Sequence, residues 1–273
     1  MKPQWQEHRL QTALGSVFVR CAGAGPVILF WPSLLMDGSM WMGVAERLLA
    51  RFCVVLIDSP GHGRSEPLSA PFSFDECAHC IVSILDALAI ERAHFVGNSW
   101  GAMIGGTFAA RYPDRIGAAI LMNGTASACG ARQRLEFRML ILTGRLLRGV
   151  RGPLRKRATA AFLGPTSLRT RPQVVGSVAA ALKRVDFRSA RWAIESVVVS
   201  RPDQASLFRG IRSPVMVVAG VEDATFPNAE TRAMADAIPA STFVLIDGSA
   251  HLTGLECPEK SAELIESFIR AHD

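Results

Sequence analysis

Residues 93–113 read AHFVGNSWGAMIGGTFAARYP. A short apolar run of strand character, 93–97, passes without a break into a stretch of helix-forming residues. At the junction stands Gly97-Asn98-Ser99-Trp100-Gly101, which fits the pattern G-x-S-x-G. A strand–turn–helix of this kind holds its serine on a sharp, strained turn, with the hydroxyl exposed above the sheet. Small residues at the flanks let strand and helix approach closely. The backbone N–H of Trp100 can then face a developing oxyanion. The pentapeptide taken alone is equally a chance Gly/Ser turn, so its neighbours in the chain have to decide.

Outward from this junction the same alternation recurs. PVILFW (26–31), FCVVLID (52–58), GAAILMN (117–123), SPVMVVAG (213–220) and TFVLID (242–247) read as short strands. Helical patterns separate them at 39–52, 72–90, 228–238 and 258–271. Ser73 with Glu76 three residues on is a capping box for the second of these helices. Residues 12–22 read as antiparallel strands around a glycine turn. Alternating strands and helices predict an α/β fold: a mostly parallel sheet covered on both faces. Residues 126–210 break the rhythm, being basic, punctuated by Gly and Pro, and helix-prone. The predicted organisation is a core of 1–125 and 211–273 carrying a helical cap inserted at 126–210. Ligands of such sheets bind beyond the carboxyl ends of the strands.

A serine hydroxyl needs a base, and the base needs an orienting carboxylate. On this architecture the chain order is serine, acid, histidine. Asp223 follows the strand VMVVAG, and His251 follows the strand TFVLID. Ser99, Asp223 and His251 are therefore the candidate catalytic residues. Glu222 is the rival acid, and Asn123 occupies the other strand end where an acid could sit. His62, His79 and His94 lie in a turn, on a helix and at a strand start, and read as structural.

Composition narrows the classes. In 273 residues, 49% are hydrophobic and 20% charged, enough for a sizeable core and unlike a disordered chain. No apolar run approaches the ~20 residues of a membrane helix, and MKPQWQEHRL lacks the apolar stretch of a secretory signal. The expectation is a cytoplasmic protein with no membrane partner. The six cysteines are scattered, several inside apolar runs, and read as reduced thiols. Cys77-x-x-Cys80 has no second pair nearby, so no metal site is expected. The net charge of +6 is uneven: residues 129–212 hold 18 Lys+Arg against 4 Asp+Glu. No nucleic-acid motif accompanies them. Arg148, Arg151, Arg155 and Arg157 either face water or bias the chain toward anionic ligands.

Three further stretches carry a family resemblance. Asp58-Ser59-Pro60-Gly61-His62-Gly63-Arg64-Ser65 resembles the D-x-x-G-H-G-x-S loop of α/β-hydrolase-fold enzymes. Residues 32–41, PSLLMDGSMW, resemble the oxyanion-loop segment N-S-L-G-T-D-L-S-M-W of 3-oxoadipate enol-lactonases. Gly220-x-x-Asp223 and Gly248-x-x-His251-x-x-x-x-Glu256-x-Pro258 have the look of the same subgroup. The resemblance implies an α/β-hydrolase fold: an eight-stranded, mostly parallel sheet with helices on both faces and an inserted helical cap. It implies oxyanion donors at the backbone N–H groups of Leu34 and Trp100. Pro32 and Ser33 replace the usual His-Gly, which leaves Leu34 or Ser33 as the donor on that loop. Ser33, Trp31 and Met36 are the expected substrate-facing residues, and Trp100 either lines the pocket or packs helix on sheet.

The implied activity is hydrolysis of a small carboxylic ester or lactone through an acyl-enzyme, with no metal or organic cofactor and a lean toward anionic substrates. Gly-Asn-Ser-x-Gly is shared with relatives that hydrolyse carbon–carbon bonds, so that reaction is the first alternative. A slowly turning ligand receptor on the same fold is the second. Oligomeric state is not readable.

Overall fold

Five apolar runs become the centre of one sheet. The computed structural model describes residues 3–147 and 149–272. Met1, Lys2, Arg148 and Asp273 lie outside the described residues. The chain opens with a hairpin of β1 (Gln6–Thr12) and β2 (Gly15–Ala22). There follow β3 (Val27–Trp31), α1 (Met42–Leu48), β4 (Cys53–Asp58), α2 (Phe74–Ala87), β5 (Ala93–Asn98), α3 (Trp100–Arg111) and β6 (Ile116–Met122). A helical run comes next: α4 (Ala131–Leu146), α5 (Gly152–Phe162), α6 (Pro165–Thr170), α7 (Pro172–Arg184), α8 (Phe187–Ile194) and α9 (Ala205–Phe208). Last are β7 (Val215–Gly220), α10 (Asn228–Asp236), β8 (Thr242–Ile246), α11 (Thr253–Glu256) and α12 (Pro258–Arg270).

The sheet has eight strands in the order β1-β2-β4-β3-β5-β6-β7-β8. Pairing is antiparallel for β1 with β2 and β2 with β4, and parallel from β4 to β8. Every residue of β5, β6 and β7 is buried, as a strand covered on both faces requires. That is why these strands read as unbroken apolar runs and not as alternating ones. α2 packs on α3, and α1 packs on α12. The capping box forms as its spacing predicts: Glu76 N donates to Ser73 Oγ (3.1 Å), and Ser73 N donates to Glu76 Oε2 (2.7 Å).

The hairpin starts six residues before the position expected from sequence. β1 is QEHRLQT, largely exposed and polar, so it gives no apolar signal. The turn glycine, Gly15, sits at φ +92°, in the left-handed region that favours glycine.

The helices α4–α9 stand between β6 and β7 in the chain. α4 packs on α8, and α5 and α6 pack on α7, while α9 packs on α3. Two serine hydroxyls of this segment hold a loop of the remainder: Leu68 N donates to Ser189 Oγ and Phe72 N to Ser196 Oγ, both at 2.8 Å. No described helix is long and apolar enough to cross a membrane. The cysteines are free. Burial pushes the Cys80 thiol up to about 12, so it behaves as a small apolar filler. No cluster of His, Cys, Asp and Glu suited to a metal occurs among the described residues.

Candidate active site

Ser99 links β5 to α3 at φ 56°, ψ −110°, a backbone conformation that costs about 1–3 kcal/mol and persists only when its surroundings enforce it. Two glycines make the turn possible. A Cβ on Gly97 would lie 2.3 Å from the carbonyl carbon of Gly101, and one on Gly101 would lie 2.5 Å from the carbonyl oxygen of Trp31. Only hydrogen fits at either place, which explains the first and last positions of G-x-S-x-G. Backbone bonds fix the serine further: Ser99 N donates to Met122 O (2.8 Å), and Ser99 O accepts from Met103 N (3.1 Å).

The structure brings Ser99, Asp223 and His251 together. His251 Nε2 is 2.8 Å from Ser99 Oγ, and His251 Nδ1 is 2.9 Å from Asp223 Oδ2. All three are buried. With a carboxylate at Nδ1, that nitrogen carries the proton, and Nε2 is left to accept the serine proton. Asp223 is itself held by the turn after β7, its Oδ1 accepting from Thr225 N (2.8 Å) and Phe226 N (3.2 Å). Glu222 turns the other way. Its carboxylate accepts from Thr166 N (2.9 Å) and Thr166 Oγ1 (2.5 Å), at the start of α6.

Three polar residues without an assigned role in the sequence reading hold the His251 loop. Asn98 Nδ2 (2.8 Å) and Asn123 Nδ2 (2.9 Å) both donate to His251 O. Asn123 Oδ1 accepts from Gly220 N (2.8 Å), so one side chain joins the ends of β6 and β7 to the histidine. Asn123 sits at φ 52°, a conformation that Asn tolerates better than most residues. The buried Glu256 grips the other side of the loop, with Oε1 accepting from Ala250 N (2.8 Å) and Leu252 N (3.2 Å) and Oε2 from Ser167 Oγ (2.6 Å). Burial raises its pKa while these hydrogen bonds draw it down, and the net direction is upward. Only position could have pointed to them, since Asn98 lies inside the serine pentapeptide, Asn123 at a strand end and Glu256 near the histidine.

The D-x-x-G-H-G-x-S loop is held from Asp58. Its Oδ1 accepts from Gly38 N (2.9 Å) and its Oδ2 from Arg64 N (2.8 Å). One buried carboxylate thus ties this loop to the segment after β3. His62 is buried against Trp100, with ring centroids 5.3 Å apart. His79 lies beside Tyr112, and His94 Nδ1 accepts from Ala118 N (3.0 Å). None of these three bonds to Ser99.

A cavity of about 420 Å³ opens over Ser99 and His251. Its walls are mostly apolar. Leu34 and Trp100 line it, together with Leu35, Phe137, Phe162 and Phe226. Phe162 stacks on the His251 ring (5.8 Å, 13°), and Phe226 tilts against it (5.6 Å). The three expected substrate-facing residues are not in this wall. Trp31 ends β3 fully buried, edge-on to Trp100 at 5.7 Å. Ser33 is fully buried, its N–H directed at Met40 Sδ (3.2 Å). Met36 lines a separate groove with Asp37 and Arg184. The chain turns sharply at Leu35, at φ 66°, so only Leu34 and Leu35 of this segment reach the cavity. Trp100 has both proposed roles, lining the cavity while packing on Trp31 and Phe72.

Residues 26–258 match the family model described as alpha/beta hydrolase fold. The chain is 24% identical over 245 residues to 3-oxoadipate enol-lactonase 2 of Acinetobacter baylyi, covering 90% of this chain and 89% of that one. It is 26% identical over 260 residues to the 2-hydroxy-6-oxononadienedioate/2-hydroxy-6-oxononatrienedioate hydrolase of Paraburkholderia phymatum, covering 90% and 84%. Among solved structures it superposes on a thermophilic esterase from Thermogutta terrifontis with a TM-score of 0.88 at 24% identity, over 99% of this chain and 100% of that one. At that identity the last match is a likeness of fold.

Proposed function

The chain belongs to the alpha/beta hydrolase fold family, and within it we propose a serine hydrolase that cleaves a carboxylic ester or lactone through an acyl-enzyme. The observation that carries this reading is the unbroken chain Asp223–His251–Ser99 opening into an apolar cavity. Ser99 Oγ attacks the carbonyl carbon while His251 Nε2 takes its proton. Asp223 holds Nδ1–H and stabilises the imidazolium. Trp100 is the first residue of α3, where the N–H has no acceptor within the helix, and it supplies one oxyanion donor. Ser33 N–H is directed at Met40 Sδ, so the second donor is Leu34. Loss of one such donor typically lowers turnover by about 10²–10³. His251 returns the proton to the leaving alkoxide, then activates water against the acyl-enzyme.

Residues 126–210 serve as a cap over a core of 1–125 and 211–273. Phe137, Leu154, Phe162 and Phe187 of this segment line the cavity, and their bulk sets the size of substrate admitted. The enol-lactonase relative supports a lactone or ester carbonyl as the reacting group. The test is hydrolysis of a chromogenic ester series, acetyl to dodecanoyl, with wild type and Ser99→Ala in parallel. Turnover that Ser99→Ala abolishes, with an optimum at short or medium chains, is expected. Turnover that survives Ser99→Ala overturns the nucleophile. A folded wild type inert on every ester shifts the reading to the carbon–carbon bond hydrolysed by the Paraburkholderia relative's class of enzyme, or to a receptor.

A further inference from the structure

One group in the cavity wall does not suit an apolar acyl pocket. Arg201 lines the same chamber as Ser99 and is only 3% exposed. Its Nε donates to Ser127 O (2.7 Å), and its Nη2 lies 3.4 Å from Gln133 Oε1. Its Nη1 is buried with no hydrogen-bond partner, and the guanidinium makes no ion pair among the described residues. Burial depresses its pKa, the direction expected for a cation taken out of water, with Cys129 and Glu230 exerting smaller opposing effects. The other charged residues of the chamber, Glu136 and Arg157, are exposed. Glu136 is already paired with Arg132 (3.1 Å).

A buried charge without a counter-ion is destabilising, and a guanidinium cannot shed its proton. Such a residue is explained when something else brings the counter-charge. Its planar fork matches a carboxylate in particular. Arg201 and the catalytic histidine flank one ring. Arg201 Cζ lies 5.3 Å from the centroid of Phe226, and the same ring lies 5.6 Å from the imidazole of His251. A molecule whose carbonyl sits on Ser99 and whose chain passes the Phe226 ring can therefore present an anion to Arg201.

We propose that Arg201 is the carboxylate-binding subsite of the chamber, and that the substrate is an ester or lactone bearing a carboxylate a few carbons from the scissile carbonyl. This rests on the serine-hydrolase reading above. The direct test compares kcat/KM on mono-p-nitrophenyl glutarate and on p-nitrophenyl pentanoate, which has a methyl group in place of the carboxylate. Wild type should prefer the glutarate ester. In Arg201→Gln the glutarate-to-pentanoate ratio should fall about 10- to 100-fold, the worth of charge-assisted hydrogen bonds in a desolvated pocket, chiefly through KM. Arg201→Lys, which keeps the charge and loses the fork, should fall between. A ratio that moves less than twofold in Arg201→Gln overturns the subsite.

A second arm needs no turnover. Glutarate at millimolar concentration should raise the Tm of Ser99→Ala, and pentanamide, which has no carboxylate, should not. Adding Arg201→Gln to Ser99→Ala should remove that shift. Equal shifts with both compounds, or none with glutarate, overturn the proposal even if ester hydrolysis is found. A glutarate shift in a protein inert on all esters would retain the subsite and overturn only the hydrolytic reading.

Discussion

At the residue scale, two adjacent carboxylates are separated by what they touch. Asp223 and Glu222 follow the same strand, yet one faces His251 Nδ1 and the other the N-terminus of α6. In Asp223→Asn the amide can present its NH2 group to Nδ1, favouring the tautomer with the proton on Nε2, where it cannot receive the serine proton. Turnover of the best ester should fall about 10⁴-fold. Glu222→Gln should leave kcat/KM near wild type while lowering Tm slightly, because an amide still accepts one of the two Thr166 bonds. Loss of turnover in Glu222→Gln with Asp223→Asn unharmed would reverse the assignment. The sequence discriminates these two only by one position of reach past β7. Ser99, Asp223 and His251 stood out because each lies in the turn after a strand, where the fold collects chemistry. Asn123 was legible as a missing acid and not as the clamp on His251 O, because a carboxamide's partners depend on three strand ends meeting in space.

At the element scale, the loop between β8 and α11 is held by a carboxyl that titrates against its own burial. Burial places the pKa of Glu256 above its ordinary 4.5, with hydrogen bonds from Ser167, Ala250 and Leu252 opposing the shift. A raised carboxyl binds its proton more tightly in the folded than in the unfolded chain. Its contribution to stability is therefore greatest in acid and falls as pH rises from 4.5 through the raised value. Glu256→Gln keeps an oxygen for Ala250 and Leu252 and removes the titration. The Tm difference between variant and wild type should shift in the variant's favour from pH 4 to pH 7, then level off. Parallel Tm–pH curves would show that the carboxyl is not raised. Legibility varied among elements for similar physical reasons. The central strands announced themselves by continuous apolar runs, and α2 by its cap. The polar β1 did not. In the helical segment, Pro sits in the first turn of α5, α6 and α7, where its missing N–H is no loss. Those prolines mark where helices begin, which the punctuated sequence conveyed, but not which faces turn inward.

At the scale of the whole molecule, the cavity is assembled from distant pieces: Leu34 and Leu35, Ser99 and Trp100, the helices of 131–201, the turn at 224–226, and His251. No local pattern encodes such a wall, which is why Trp31, Ser33 and Met36 looked substrate-facing from their place after β3. Charge is different, because its distribution is visible without a fold. Residues 129–212 carry 18 Lys+Arg against 4 Asp+Glu, while the rest of the chain carries 12 against 20. Many of the arginines in 129–212 are solvent-exposed, so each one's local effect is small. Their summed field reaches about 30 Å at 0.01 M salt and only about 10 Å at 0.1 M. The field and the buried guanidinium can thus be separated by ionic strength. For mono-p-nitrophenyl glutarate, kcat/KM should fall several-fold between roughly 0.01 and 0.3 M sodium chloride as long-range attraction is screened. For p-nitrophenyl pentanoate it should stay flat. A preference for the anionic ester should survive at the higher salt, since a desolvated pair is screened much less. Arg201→Gln should erase that residual preference and leave the salt slope in place. Equal slopes for the two esters would mean that the exposed arginines of 129–212 act only on water, and that any selectivity for an anion is made inside the chamber.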